Sequence, residues 1–382
     1  MSAPRFIVVG AGVMGCALAS ELARRGADVV VVEQGEVCSG SSGRNAGGVR
    51  QQFSSATNVR LARRTLERVG LLREELGVDV GFRQVGYLFL AASDEGEARL
   101  RGTVSAQNAL DVPTRFVGVD EIAELVPGVN TADLRGGSFC PTDGHLDPHA
   151  LVSAFASDAR RHGAVIRQDT RIVGADRAGE RLTALRTASG EAIGGDVVVN
   201  CAGAWAGAVA GLYGGELPIQ PWRSQVFIVT HTPPLGDRLP MTIDFDNGKS
   251  YFHREGDGLL AGMDNETATA PTVDVAFDYD KVDQLVEHLA HRLPALVDAR
   301  VATGWAGLLE LTPDENPLVG WTHLENVYTA AGFSGHGLSI APALAQDVAR
   351  ELLGEPPEVP LDAFRPERFA GAVLEVEALS MR

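Results

Sequence analysis

The chain opens on a short, wholly apolar run, Phe6–Val9, the pattern of a strand buried on both faces. Apolar residues then recur at helical spacing through 13–25, at Met14, Leu18 and Leu22, until Gly26 stops the helix. A second apolar run, Val29–Val32, ends in Glu33. A Gly/Ser-rich stretch, Cys38–Phe53, predicts a loop whose backbone N–H groups can face a ligand. Residues Ala56–Leu76 predict a long amphipathic helix, with Val59, Leu61, Leu66, Val69 and Leu72 on or near one face. A strand over Val85–Ala91 and a helix over 95–110 follow, and another helix starts near Pro148 with Asp147 as its N-cap.

Beyond that helix the pattern predicts a meander over Val165–Gln168, Arg171–Ala175, Leu182–Thr187 and Val197–Asn200. The last of these runs breaks at Ala202–Gly203 into a helix. Residues 217–263 read as longer strands with aromatics, 279–293 as a helix, 301–331 as strands interrupted by the turn "TPDENP", and 337–353 as a final helix. Alternating strand and helix patterns lie at both ends and in the middle, and strand-rich stretches lie between them. The expected fold is α/β: a discontinuous Rossmann-like domain over 1–80, 145–215 and 305–382, with an inserted mixed or antiparallel sheet domain over 81–144 and 216–304. Clefts between such domains are the usual place for a small ligand.

Composition narrows the function classes. The 382 residues, 45% hydrophobic and 22% charged, suit a globular protein with a large core. No apolar run approaches a membrane span, and the first is too short for a signal-peptide core, so a cytoplasmic protein is expected. A net charge of −17 argues against nucleic acid and anionic membranes as partners. Cys16, Cys38, Cys140 and Cys201 form no CxxC pair and read as free buried thiols. His145, His149, His231 and His323 have no spaced partners that suggest a metal, and none is expected.

The first strand, helix and second strand carry chemistry. Gly10, Gly12 and Gly15 spell G-x-G-x-x-G at a strand-to-helix turn, where they allow a tight turn, close approach of a pyrophosphate and close helix–strand packing. The helix N-terminus offers free N–H groups to phosphates. Glu33, at the end of the second strand, can accept hydrogen bonds from both ribose hydroxyls. The order strand, glycines, helix, strand and acid predicts a dinucleotide site. By itself it does not separate NAD from FAD.

Five stretches separate them: "GAGVMG" with Glu33, "SGSSGRNAGGVRQQF", "VVNCAGAWA", "WAGLLELTPDENPLVG" and "AAGFSGHGLSIAP". Together they resemble the glycine oxidase, sarcosine oxidase and D-amino acid oxidase superfamily of FAD enzymes over nearly the whole chain. In wording they look closest to the beta subunits of heteromeric sarcosine oxidase and dye-linked L-proline dehydrogenase. The resemblance implies that Gly10, Gly12, Gly15, Glu33 and the adjacent Gln34 hold the AMP half and pyrophosphate of FAD. It implies that Ser41, Ser42, Arg44, Asn45, Ala46 and Gly47 line the flavin side, and that Ile172 offers backbone groups to the adenine. Ala202, Gly203 and Trp205 would crowd the pyrophosphate and ribityl chain, and Gly332, Ser334, Gly335, His336, Gly337, Leu338 and Ser339 would wrap the isoalloxazine edge.

The departures matter as much. Some relatives attach flavin covalently through a Cys where Gly307 stands here, or through a His about where Asn45 stands, so non-covalent FAD is expected. Leu260 stands where a Lys of monomeric sarcosine oxidase promotes the reaction with dioxygen, and Ser339 where such relatives grip substrate carboxylate with a second Lys. A dehydrogenase is therefore expected ahead of an oxidase.

The implied reaction oxidises an amine or amino acid, with a secondary amine or imino acid such as proline, sarcosine or another N-alkyl amino acid as substrate. Hydride passes from the Cα–H or N-alkyl C–H to flavin N5 and leaves an imine; the flavin carries the difficult step and the protein positions it. Arg50 is a candidate to hold a substrate carboxylate by two parallel bonds, with a structural ion pair as its other reading. Tyr251 is a candidate to face flavin and substrate, and Arg223 a weaker one, read as packed on the sheet's edge. His253 shares a strand face with Tyr251 and reads as solvated, and Glu310 as a strand-end charge. His336 reads as a wall beside the flavin rather than a base, since amine oxidation by flavin demands no triad. Alternatives are a catalytic subunit that needs partner chains to pass electrons on, a D-amino acid or glycine oxidase, and an NAD-linked dehydrogenase. The glycine-rich segments at 40–48 and 332–337 argue against the last.

Overall fold

Two large sheets carry the architecture. The computed structural model describes residues 3–232, 236–263, 267–371 and 374–380. The first sheet has six strands in the order Leu318–Trp321, Val327–Ala331, Val197–Asn200, Arg5–Val9, Asp28–Val32, Val165–Arg167. All pairings are parallel except that of Leu318–Trp321 with Val327–Ala331. The apolar runs are buried on both faces, as their composition requires. Phe6, Val8, Val29 and Val31 enter the core beneath the helices Val13–Arg24, Pro148–Arg161 and Gly337–Leu352. Ile7, Val9, Val30 and Val32 pack on the opposite side against Leu182, Leu185 and Ile193.

The expected meander is not formed as a unit. Val165–Arg167 and Val197–Asn200 join the parallel sheet, and only Ile172–Ala178, Arg181–Thr187 and Ala192–Ile193 make an antiparallel layer over it. A parallel pairing needs a crossover, and Pro148–Arg161 supplies the one that leads into Val165. That helix begins as its sequence predicts: Asp147 accepts from the N–H groups of His149 at 2.8 Å and Ala150 at 3.2 Å.

The second sheet has nine strands and is mixed. Met241–Asp244 runs parallel to Tyr87–Ala91, and the other pairings are antiparallel. Its longest strand, Arg300–Leu311, pairs along its length with Gln220–Thr230. It therefore crosses the boundary expected at residue 305 without a break. One face packs on the helix Lys281–Arg292 through Phe227, Phe252, Leu285 and Leu289. The other turns Met241, Ile243 and Tyr251 towards the first sheet. A two-stranded ribbon, Gly48–Val49 with Gly144–His145, ties the Gly/Ser-rich loop between the two.

Candidate active site

The order of strands in the first sheet reverses between Arg5–Val9 and Val197–Asn200, and the crevice beyond the carboxyl ends of such strands is where open α/β sheets bind ligands. Here the segments that leave the two strands nearly touch. Gly10 has φ +106°, and a Cβ on it would collide with the carbonyl oxygen of Cys201. Glu33 binds the turn from its far side, accepting from Ala11 N–H at 2.8 Å and from Gly35 N–H at 3.0 Å. A carboxylate has about four acceptor positions, so two remain for a ligand's hydroxyls. Val13 N–H, in the first turn of its helix, donates to Ser42 Oγ at 3.0 Å, which binds the Gly/Ser-rich loop to the helix mouth. Asn45 then sets that loop's path: its Nδ2 donates to Ser42 O at 2.6 Å and its Oδ1 accepts from Gly47 N–H at 2.7 Å.

A continuous cavity of about 970 Å³ runs from Glu33 to the face of the second sheet. That is at the upper end of the roughly 300–1,000 Å³ common for cofactor and small-molecule sites. Of the cofactor residues expected from sequence, Gly10, Gly12, Glu33, Gln34, Ser41, Ser42, Arg44, Asn45 and Ala46 line it. So do Ile172, Ala202, Gly203, Trp205, Gly307, Ser334, Gly335, His336, Gly337 and Leu338. Four do not: Gly15, Gly47, Gly332 and Ser339 lie behind the wall. Gly15 packs on the strand, since a Cβ there would strike Gly10 O, and Ser339 Oγ accepts from Arg50 N–H at 3.1 Å.

The catalytic candidates divide. Tyr251 lines the cavity, joined by Tyr87, Met241, Ile243 and Met263, none of which stood out in the sequence. Burial pushes both tyrosine hydroxyls up, Tyr87 to about 12, so both are protonated donors. His336 lines it too and is 4% exposed, with neither ring nitrogen hydrogen-bonded and its ring edge-to-face on Phe53 at 5.2 Å. Burial, helped by the charge of Arg50, lowers its pKa to about 3, so it stands neutral.

Arg50 does not reach the cavity. Its guanidinium donates to Leu379 O at 2.7 Å and to Gln52 O, and lies over the Phe53 ring at 4.2 Å. The expectation that it holds a substrate carboxylate therefore fails on placement: backbone carbonyls take its fork. Arg50→Met is expected to cost about 2–3 kcal/mol of stability, the range for lost charged hydrogen bonds, and to leave KM for the flavin-reducing substrate within about twofold. Urea unfolding and steady-state kinetics check this; a large KM rise at unchanged stability would restore the carboxylate role.

Three further side chains correct the sequence reading. His253 is buried rather than solvated; its ring nitrogens meet Ala46 O at 3.0 Å and Arg254 O at 2.9 Å, and it stacks on His145 at 4.1 Å. It braces the Gly/Ser-rich loop from the sheet. Glu310 is 8% exposed and its carboxyl lines the cavity, so it is no strand-end charge. Leu260, on a strand paired with Ile228 and His253, is buried outside the lining. Arg223 pairs with Asp278 at 2.7 Å.

A sharp turn at a strand-order reversal, a ribose-ready carboxylate and a long cavity lined by unpartnered Glu310 and His336 nitrogen and oxygen atoms fit a dinucleotide flavin. The profile of the FAD dependent oxidoreductases known as DAO matches residues 5–351, and the protein belongs to that family. Among its relatives, FAD-dependent oxidoreductase domain-containing protein 1 of Xenopus laevis is 33% identical over 90% of this chain and 78% of its own. Glycine oxidase of Geobacillus kaustophilus is 29% identical over 88% of this chain and 89% of its own. The crystal structure of L-proline dehydrogenase from P. horikoshii superposes with a TM-score of 0.88 at 33% identity, covering 97% of this chain and 98% of that one. The protein is thus an FAD-dependent oxidoreductase with a Rossmann-like cofactor fold. No helix among the described residues is long and apolar enough to cross a membrane.

Proposed function

We propose that the protein oxidises a secondary amine or imino acid, such as proline, sarcosine or another N-alkyl amino acid, as a dehydrogenase with non-covalent FAD. One observation carries the reading. The cavity ends against a sheet face of Tyr87, Tyr251, Met241, Ile243 and Met263, apolar but for two protonated hydroxyls, beside a neutral His336 whose ring nitrogens have no hydrogen-bond partner among the described residues. Such a site can orient a small amine and exclude water, and it holds no base–nucleophile relay for hydrolysis or acyl transfer. FAD, when bound, supplies the acceptor for the electron pair and the C–H hydrogen. Tyr251 and Tyr87 would position substrate by donating, and His336 would form the wall. Arg44 lines the same cavity with its β-carbon side against Gly307 and its guanidinium donating to Val273 O at 2.9 Å. It takes over from Arg50 as the cation for a substrate carboxylate.

Among the described residues no lysine lines the cavity, which supports the dehydrogenase reading, because no ammonium there favours superoxide. The test is anaerobic bleaching of the flavin by a panel of amino acids and N-methyl amino acids, followed by air. Proline or an N-alkyl amino acid is expected to bleach it, with slow recolouring in air. A panel without effect would sink the substrate class, and recolouring at an oxidase's rate would sink the dehydrogenase. Similarity to L-proline dehydrogenase supports that substrate class, and similarity to glycine oxidase supports an amino acid or amine more broadly.

Non-covalent attachment has its own test. Gly307 presents no side chain, and burial pushes the thiol of Cys38 up to about 12 and that of Cys201 higher still, so neither lining cysteine is a ready nucleophile. Acid or heat denaturation is expected to release all the yellow colour into the supernatant; colour kept in the pellet would refute it.

A further inference from the structure

The proposed reaction leaves the buried carboxyl of Glu310 without a task. Glu310 stands near the end of Arg300–Leu311, opposite Pro221, and its carboxyl enters the cavity between two other elements. On one side lies Gly203, where an added Cβ would come within 3.2 Å of Glu310 Oε2. On the other lie the backbone N–H groups of Gly332 and Phe333, which point towards the carboxyl, while Ser334 N–H donates to the Glu310 carbonyl at 3.1 Å. Oε2 is buried and has no hydrogen-bond partner among the described residues. A buried, unsatisfied carboxyl oxygen is costly unless something completes it. Gly203 follows the strand that forms one wall of the dinucleotide crevice, so a cofactor bound there would lie within reach of it.

We propose that Glu310 binds FAD as a neutral carboxylic acid, donating its proton to an oxygen of the chain that joins the cofactor's two ring systems. An ionised carboxylate there would share the sign of the cofactor's phosphates. The groups around it leave the acid form favoured. Burial raises the Glu310 pKa to about 7, against the opposing pull of the Phe333 and Gly332 N–H groups. On the elements packed against it, Cys201 and His336 are uncharged, and Arg223, two positions from Pro221, is already paired with Asp278. Arg44 lies against Gly307, three residues back along Glu310's own strand, with its Nη1 on Val273 O. Among the described residues neither arginine is ion-paired with Glu310.

The inference rests on the family's FAD dependence, and its readout is cofactor affinity rather than turnover. FAD is stripped and its Kd measured by flavin fluorescence from pH 5.5 to 9, with proton uptake on binding measured by calorimetry in two buffers. The sign follows from linkage. If only the protonated acid binds, affinity is full below the apoprotein pKa near 7 and falls as pH rises above it, by up to about tenfold per unit. Uptake at pH 8.5 approaches one proton. Glu310→Gln, which keeps a donor and cannot ionise, should bind FAD with a pH-independent Kd and no proton uptake; Glu310→Ala should bind at least about tenfold more weakly at pH 6, one lost buried hydrogen bond. A flat wild-type Kd, or affinity that improves with pH because the carboxylate accepts from a ribityl hydroxyl, overturns the inference while leaving the flavoprotein assignment intact. Failure of the wild type to bind FAD overturns both.

Discussion

Gly10→Val is expected to yield protein without yellow colour. The residue has φ +106°, where an L side chain is strained by roughly 1–3 kcal/mol, and its Cβ would occupy the place of Cys201 O. The clash is with backbone, so no rotamer relieves it; the turn must move away from the end of Val197–Asn200, where the crevice narrows. Since 1.4 kcal/mol is a factor of ten, strain and clash together should weaken FAD at least about a hundredfold. The displaced turn also takes Ala11 N–H away from Glu33 Oε2, now 2.8 Å distant, so the ribose acceptor loses its brace. Fluorescence titration of the apoprotein gives Kd, and far-UV circular dichroism shows whether the sheet survives. Stoichiometric FAD in the purified variant would contradict the argument. If the variant does not fold, Glu33→Gln offers the gentler test, because it weakens the same brace without a clash and should lose about tenfold or more in affinity.

That turn was legible because every part of it is local. Strand, glycines, helix and acid lie within residues 6–33, and each is dictated by a neighbour in sequence or by the phosphate it must admit. The same holds for Asp147 before Pro148. The meander was misread for the opposite reason. Val165–Arg167 and Val197–Asn200 are three and four residues long, and whether such a run pairs with its neighbour in sequence or with a strand over a hundred residues away is decided by tertiary packing.

Arg50 and Glu310 mark the limit at the site. Both lie in stretches whose wording pointed to flavin, "GGVRQQF" and "LLELTPDENP", yet side-chain direction reversed their roles. Gln51 and Gln52 donate to Asp143 at 3.0 and 3.3 Å, which fixes the loop so that Arg50 turns to the C-terminal segment at Leu379. Nothing near Arg50 in sequence announces a partner 329 positions on. For Glu310 a signal existed: its strand neighbours Leu308, Leu309 and Leu311 are all apolar, and a lone carboxyl in such a run points to a buried acid.

Arg292→Leu should destabilise the second sheet by about 3–5 kcal/mol, the cost of orphaning a buried charge. The guanidinium is fully buried at the end of Lys281–Arg292. Its Nε donates to Asp244 at 2.6 Å, Nη1 to Asp133 at 2.8 Å and to Asn130 O at 2.5 Å, so one side chain joins a helix, a strand and a loop. Burial raises the Asp244 pKa although Arg292 opposes it, so without the arginine the carboxyl is left deeper in proton-binding territory. At Asp133 burial pushes up, but bonds from Arg292 and His291 outweigh it and hold the pKa at about 2, below its ordinary 3.8. The sign follows: Asp133 contributes stability above about pH 4 that is lost as pH falls towards 2, a small share because the side chain is 39% exposed and screened. The penalty of the substitution is therefore largest at neutral pH and shrinks in acid, where Asp244 takes up its proton. Adding Asp244→Asn removes the stranded charge and should recover at least about 1 kcal/mol. Urea melts of both variants at pH 7 and pH 4 check this, and equal stability of the single and double variants would show that charge burial is not what the network resolves.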